Sequence, residues 1–342
     1  MTEGRSLPVR SAALALIVLA GACAEQSPKP SAQRTEPTAG PSATPLPTPE
    51  PVASPEEGTP PVIFVGFQPV GQGEPIGRLV LVDAATGDVA RVLLHDVDYS
   101  EGGIWSPDLA PDGRTLYYAM GTSACTDDVR RLSLDDGDEE VLATGRARGP
   151  AVSPDGRLLA YLYGDFCMGK TQYVVVRDLA SGHETRWRFR LETSGAEGLS
   201  LRRLVWLPDS HTLAYEVRRD EASWIHLIDT EGDEGIELGK GSRLGPQDSS
   251  LELVGLHAEG LAAVRRCFIP PEPGCPPGPE IVALDPETGG VVATLLRPAP
   301  EAFSFDLDPS GRHLLYITEE GLYRWSGGEP VRIGGRYFAA TW

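Results

Sequence analysis

Ser153-Pro154-Asp155-Gly156-Arg157-Leu158-Leu159-Ala160-Tyr161 joins a tight turn to an apolar strand. Proline pre-sets φ at the first central position of such a turn, aspartate suits the second, and glycine accepts the positive φ that follows. The turn recurs at Pro111-Asp112-Gly113-Arg114, Pro208-Asp209-Ser210-His211 and Pro309-Ser310-Gly311-Arg312. A fixed unit of short strands and turns, repeated along a chain of 342 residues, points to a β-propeller.

Working outward from that turn, each unit reads as an apolar strand, the turn, and a second strand rich in Leu, Tyr and Ala. A variable loop, a third strand ending near an aspartate, a Gly-containing turn and a fourth strand follow. The first unit takes residues 62–67, 78–82 and 89–94; the second 104–106, 115–120, 129–134 and 140–143. The third takes 151–153, 158–163, 173–177 and 184–190; the fourth 204–207, 212–218, 224–228 and 235–238. The fifth takes 251–256, 261–265, 280–284 and 291–295; the sixth 303–307, 313–318, 322–325 and 331–333. The first unit lacks an innermost strand and residues 337–342 are left over, with Thr341-Trp342 matching Val205-Trp206 and Ile104-Trp105. The expected fold is therefore all-β: a six-bladed propeller of four-stranded antiparallel blades, closed by the C-terminal strand pairing into blade one. Closure removes exposed sheet edges. Seven blades with one degenerate copy, or an open solenoid, are the alternatives.

The phrases at residues 153–161 and at Asp308-Pro309-Ser310-Gly311-Arg312-His313-Leu314-Leu315-Tyr316 resemble the WD40-like repeats of TolB-type six-bladed propellers. The resemblance spans residues 61–342, although the fifth unit, at Leu256-His257-Ala258-Glu259-Gly260, has lost the turn motif. Such propellers bind proteins, peptides or sugars, or cap the catalytic domain of prolyl-oligopeptidase-like peptidases. Within this chain no hydrolase segment follows the repeats, so the capping role is not expected.

The N-terminus reads differently. Arg5 and Arg10 precede an apolar run at residues 11–22, too short for a bilayer span of about 20 residues. Leu19-Ala20-Gly21-Ala22-Cys23 resembles a bacterial lipoprotein signal, with Ala20 where that signal usually has Leu. The resemblance implies a signal peptide at 1–22, lipidation of Cys23, and a head facing the extracytoplasmic side of the cell membrane. Residues 23–60, rich in Pro, Ser and Thr, read as a disordered tether, because such composition buries too little apolar surface to offset the entropy of ordering.

Charge excludes one class of partner. With 30 basic and 49 acidic residues the net charge is −19, and no basic stripe interleaved with aromatics is present, so nucleic acid is not an expected partner. Catalytic signals are also missing: the chain has no G-x-S-x-G elbow, no H-E-x-x-H and no phosphate-binding glycine loop, and no metal or cofactor is expected. The acidic run at residues 135–140 reads as a solvated hairpin turn rather than a calcium loop. Asp306 and Asp308 end an inner strand; facing the channel and leading into the turn are their two readings, with the turn favoured. Trp105, Trp206 and Trp342 are read as packing between blades.

After Cys23 four cysteines remain, an even number for an oxidising compartment. Cys267 and Cys275 are expected to close a Pro-rich loop on themselves. Cys125 and Cys167 lie in equivalent loops of neighbouring units and are expected to bridge them. The loops between units carry Tyr99, Glu101, Arg146, Arg148, Arg202, Arg203, Arg243 and Arg336. Of these Tyr99, Arg146, Arg148, Arg202, Arg243 and Arg336 are the candidate ligand-binding residues. Arginines on an acidic protein suit bidentate recognition of an anionic or carboxylate-bearing partner, scattered surface charge being the plainer reading.

The expected function is a membrane-anchored binding or scaffold protein with a monomeric, non-enzymatic head, its partner an envelope protein or small ligand. A carbohydrate-active or other propeller enzyme with a channel site is the alternative, and a sensory accessory of an envelope signalling protein is a further one.

Overall fold

The computed structural model describes residues 63–69, 76–100, 103–123, 125–167, 171–189, 199–219, 222–232, 244–245, 249–267, 278–298, 302–308 and 310–342. The chain divides into Met1–Pro51 and Val52–Trp342. The expected signal peptide, Cys23 and the expected tether lie outside the described residues. The described residues form strands and turns with no helix, and none of their elements is a helix able to cross a membrane.

Sheet one contains β1 (Ile63–Pro69), β2 (Ile76–Asp83) and β3 (Val89–Asp98); sheet two contains β4 (Gly103–Leu109), β5 (Thr115–Ser123), β6 (Thr126–Ser133) and β7 (Glu139–Ala143). Sheet three contains β8 (Ala147–Val152), β9 (Leu158–Gly164), β10 (Gln172–Asp178) and β11 (Glu184–Phe189); sheet four contains β12 (Leu199–Trp206), β13 (Thr212–Arg219) and β14 (Ala222–Asp229). Sheet five contains β15 (Ser249–His257), β16 (Gly260–Cys267), β17 (Glu280–Leu284) and β18 (Val291–Leu296). Sheet six contains β19 (Ser304–Leu307), β20 (Leu314–Thr318), β21 (Gly321–Trp325) and β22 (Val331–Gly334). The last strand, β23 (Ala339–Thr341), pairs antiparallel with β1, with Val65 opposite Thr341 and Phe67 opposite Ala339. Sheet one therefore takes strands from both ends of the described head.

The described residues form six sheets, five of them four-stranded as expected. Among the described residues sheet four has three strands, and the outer strand read at residues 235–238 falls outside them. The innermost strands touch in succession, β4 to β8, β12, β15, β19 and β23, and β23 returns to β4. That succession is a closed propeller ring.

The quoted turns behave as their residues dictate. Asp112 accepts hydrogen bonds from the backbone N–H groups of Arg114 and Thr115 and from the Thr115 hydroxyl; Asp209 does the same for His211 and Thr212. Gly113 and Gly156 have φ of 65° and 73°, and in the third copy Ser210 is held at 60°, a conformation costly for most side chains. The apolar core is divided into six wedges, each between neighbouring sheets. The wedge between sheets three and four is built around Trp187, Trp206 and Phe189.

Candidate functional site

Four innermost strands carry a register shift as they line the axis: β4 between Trp105 and Asp108, β8 between Arg148 and Ala151, β12 between Leu201 and Leu204, and β15 between Leu253 and Gly255. A bulge sends successive side chains toward the same side and bends the strand. The channel between these strands holds a cavity of about 760 Å³, lined by residues of all six sheets and reaching Pro111, Pro154 and Pro208 of the first-to-second-strand turns. Those turns lie at the end opposite the loops that join one sheet to the next.

One register position on the channel wall stands opposite the second core residue of each second strand. Asp108 lies opposite Tyr117, Ala151 opposite Ala160, Val205 opposite Ala214, and Asp306 opposite Leu315. Sheets two and six thus place carboxyls where their neighbours place small or branched apolar groups. The Val152 N–H donates to Asp108 Oδ2 at 2.6 Å. The Trp342 N–H donates to Asp306 Oδ2 at 3.1 Å and the Thr341 hydroxyl to the same oxygen at 2.8 Å. Each aspartate therefore clasps the innermost strand of the following sheet. Glu216 of β13 does likewise, accepting from the Leu253 N–H at 3.0 Å.

The two aspartates differ in their second partner. Arg203 donates to Asp306 Oδ1 at 2.8 Å and to the Phe305 carbonyl at 2.7 Å. Burial pushes Asp306 upward, opposed first by Arg203. Asp108 is pushed up to about 7, chiefly by loss of solvent and further by the Asp306 charge, against the Val152 hydrogen bond and the weaker pull of Arg203. Carboxyls with unequal partners titrate apart. Asp308 also lines the cavity, but its carboxylate is committed to its own turn. It accepts from the backbone of Ser310, Arg312 and His313, and so closes the turn.

The aromatics also separate. Trp206 is 3 % exposed and its indole N–H donates to the Ala151 carbonyl at 2.9 Å; Trp342 is likewise buried. Trp105 is 45 % exposed and lines the cavity with Phe303, 54 % exposed. The packing role read for Trp105 is corrected. Because of the bulge Leu109, opposite Leu116, takes the register place that Trp206 takes opposite Leu213, and Trp105 falls upstream on the channel wall.

Of the residues named from sequence, Arg202 and Arg203 line the cavity. Tyr99 packs edge-on against Phe338 with ring centres 5.0 Å apart, behind the wall. Arg148 pairs with Asp127 at 2.7 Å and lies over the Phe166 ring at 3.9 Å, while Arg146 approaches Asp165 at 3.8 Å. Arg336 is exposed, and Arg243 is outside the described residues. Cys125 and Cys167 form a disulfide between sheets two and three, with Cα atoms 5.7 Å apart. Cys267 ends β16, and Cys275, with the expected Cys267–Cys275 pairing, lies outside the described residues. Among the described residues no group of His, Cys, Asp and Glu is placed to hold a metal ion. Sequence reading passed over Asp108 and Phe303; the placement of Asp108 one register step before the turn, as Asp306 is, was the available signal.

No family model matches the chain, and no curated protein matches it. Solved structures do. TolB from Acinetobacter baumannii is similar at a TM-score of 0.59 and 20 % identity, over 82 % of this chain and 66 % of that one. The chain thus spans just under two thirds of that TolB's length. Hydrazine synthase from Kuenenia stuttgartiensis aligns at a TM-score of 0.48 and 18 % identity, over 72 % of this chain and 70 % of that one. A puromycin-hydrolysing peptidase from Mycobacterium tuberculosis aligns at 0.48 and 14 %, over 78 % of this chain and 45 % of that one. At these identities the likeness is one of fold: the chain is similar to TolB as a β-propeller.

Proposed function

We propose that this chain is a non-enzymatic binding or scaffold protein of the cell envelope, anchored through Cys23, whose propeller recognises its partner at the central channel. The observation that carries the reading is the exposure of Trp105 and Phe303, from two different sheets, in the same cavity. Large aromatics left open in a concavity are characteristic of recognition surfaces. The channel's Asp108 and Asp306 support it as well, since each is engaged in holding one sheet to the next. The likeness to TolB is consistent with this reading at the level of fold.

Crosslinking capture from native envelopes tests it, with the full chain as bait and residues 23–60 alone as control. A partner retained by the full chain, and lost on Trp105→Ala with Phe303→Ala, is the expected result. Retention unchanged by both substitutions overturns the channel assignment. One observation favours a channel enzyme as a second reading: Asp108, pushed up to about 7, lies within electrostatic reach of Asp306, an arrangement suited to general acid–base work. Turnover of envelope glycans, abolished by Asp108→Asn in a protein that still folds, is the result that would select it.

A further inference from the structure

We propose that the channel recognises a carboxylate carried on a peptide, beside an apolar side chain, and that Arg202 is the group that grips it. This deepens the reading above and rests on the channel being the recognition site. Arg202 lies within the bulge of β12, exposed and lining the cavity. It forms no hydrogen bond or ion pair with any described residue. Its arginine neighbours are committed: Arg203 to Asp306 at 2.8 Å and Arg148 to Asp127 at 2.7 Å.

The charges that act on Arg202 leave it poorly compensated. Partial burial holds its guanidinium below the usual range, and Arg218 and then Arg148 push the same way, with Glu216 alone opposing. Glu216 is itself buried, tied to the Leu253 N–H, and pushed up to about 7 by loss of solvent. Around neutral pH the opposing charge is therefore incomplete. A local cationic spot results, inside a chain whose net charge is −19.

A guanidinium without a partner among the described residues, on the wall of a concavity, presents a planar fork of donors that matches a carboxylate in two parallel hydrogen bonds. The rest of the wall sets the company that carboxylate keeps. Trp105 and Phe303 offer ring faces and Pro111, Pro154 and Pro208 form an apolar collar. Rings and prolines pack against apolar side chains, so the complementary ligand is a peptide segment with one acid next to an apolar residue. A polyanion is disfavoured by the overall negative field.

The test is fluorescence anisotropy of the full chain with labelled short peptides of apolar and aromatic residues in three versions. The first carries one Glu and an amidated end, the second has no acidic side chain and a free C-terminal carboxylate, and the third is amidated without Glu. The expected result is at least about tenfold tighter binding of one carboxylate version than of the third, as a charged hydrogen bond provides. The preference weakens with salt, is lost in Arg202→Gln, survives in part in Arg202→Lys, and is unchanged in Arg146→Gln. The first two peptides separate a side-chain acid from a chain terminus. Equal binding of all three peptides, or a preference intact in Arg202→Gln, overturns the proposal. So does absence of peptide binding, including the case in which an oligosaccharide of uronic acids binds through Arg202. Thermal melts confirm that each variant is folded. Peptide binding that Trp105→Ala leaves as tight as before rejects the channel reading itself. Binding weakened by Trp105→Ala but indifferent to Arg202→Gln rejects only the carboxylate.

Discussion

Sheet three meets its two neighbours by different means. Against sheet four it buries a broad apolar wedge containing Trp187, Phe189 and Trp206, pinned by the Trp206 indole on the Ala151 carbonyl and by the Leu201 N–H on Gln172. Against sheet two the wedge is built of smaller groups and tyrosines, Tyr117 and Tyr161 buried and Tyr163 and Tyr173 partly so. There the seam also carries the Cys125–Cys167 disulfide, the Arg148–Asp127 ion pair and the Asp108–Val152 hydrogen bond. One interface draws on burial, which is insensitive to pH and redox state. The other adds covalent and acidic devices that respond to both. A ring of similar repeats therefore need not have similar seams.

The comparison breaks most readily at the apolar side. Trp206→Ala is expected to cost about 3–5 kcal/mol, the range for emptying a buried aromatic site, seen as a large drop in the midpoint of thermal or urea unfolding. A fall below about 1 kcal/mol would mean that this wedge does not carry its seam. On the other side, Cys125→Ser with Cys167→Ser releases a loop of sequence separation 42, worth about 2–4 kcal/mol in the chain-entropy account. The same loss on adding reductant to a chain carrying Cys275→Ser, in which the expected Cys267–Cys275 loop cannot close, ties the effect to the bridge.

A pH series sharpens the contrast further. The folded state raises Asp108 to about 7, whereas an unfolded aspartate titrates near about 4. Below about pH 4 the carboxyl is protonated in both states and the folded state bears no penalty. Between about 4 and 7 the unfolded chain releases the proton first, so stability falls as pH rises, and above about 7 the penalty is constant. Glu216, also raised to about 7, acts in the same direction. Asp108→Asn is expected to flatten this slope and to gain about 1–3 kcal/mol at pH 8 relative to the parent. An unaltered slope would show that Asp108 is not the titrating group. The smallest stability effect is expected at Trp105→Ala, within about 0.5 kcal/mol as for exposed sites, because this ring lies on the channel wall. Its consequence belongs to binding.

Much of the fold was legible because its signals are local. The turn at Pro154-Asp155-Gly156 and its copies impose their φ values wherever they occur, and the alternation around them marks the strands. The leftover C-terminal segment announced closure, and β23 pairs with β1. The site was less legible. Trp105 and Trp206 look alike in one dimension, yet a bulge exposes the first and buries the second. Asp306 and Asp308 are two residues apart and both line the cavity, yet one clasps the next sheet while the other closes a turn.

The order of strands, the turn chemistry and the acidic balance follow from the chain alone, since they depend on residues adjacent in sequence or on simple sums of charge. Convergence is another matter. Arg203 reaches Asp306 across about a hundred positions of chain, 103 by residue number, Asp108 finds the Val152 N–H 44 positions on, and Arg202 lines the same cavity without a partner among the described residues. Only the closed ring decides these meetings, because bulges and sheet order set which side chains face the axis, and neither is a property of any single segment.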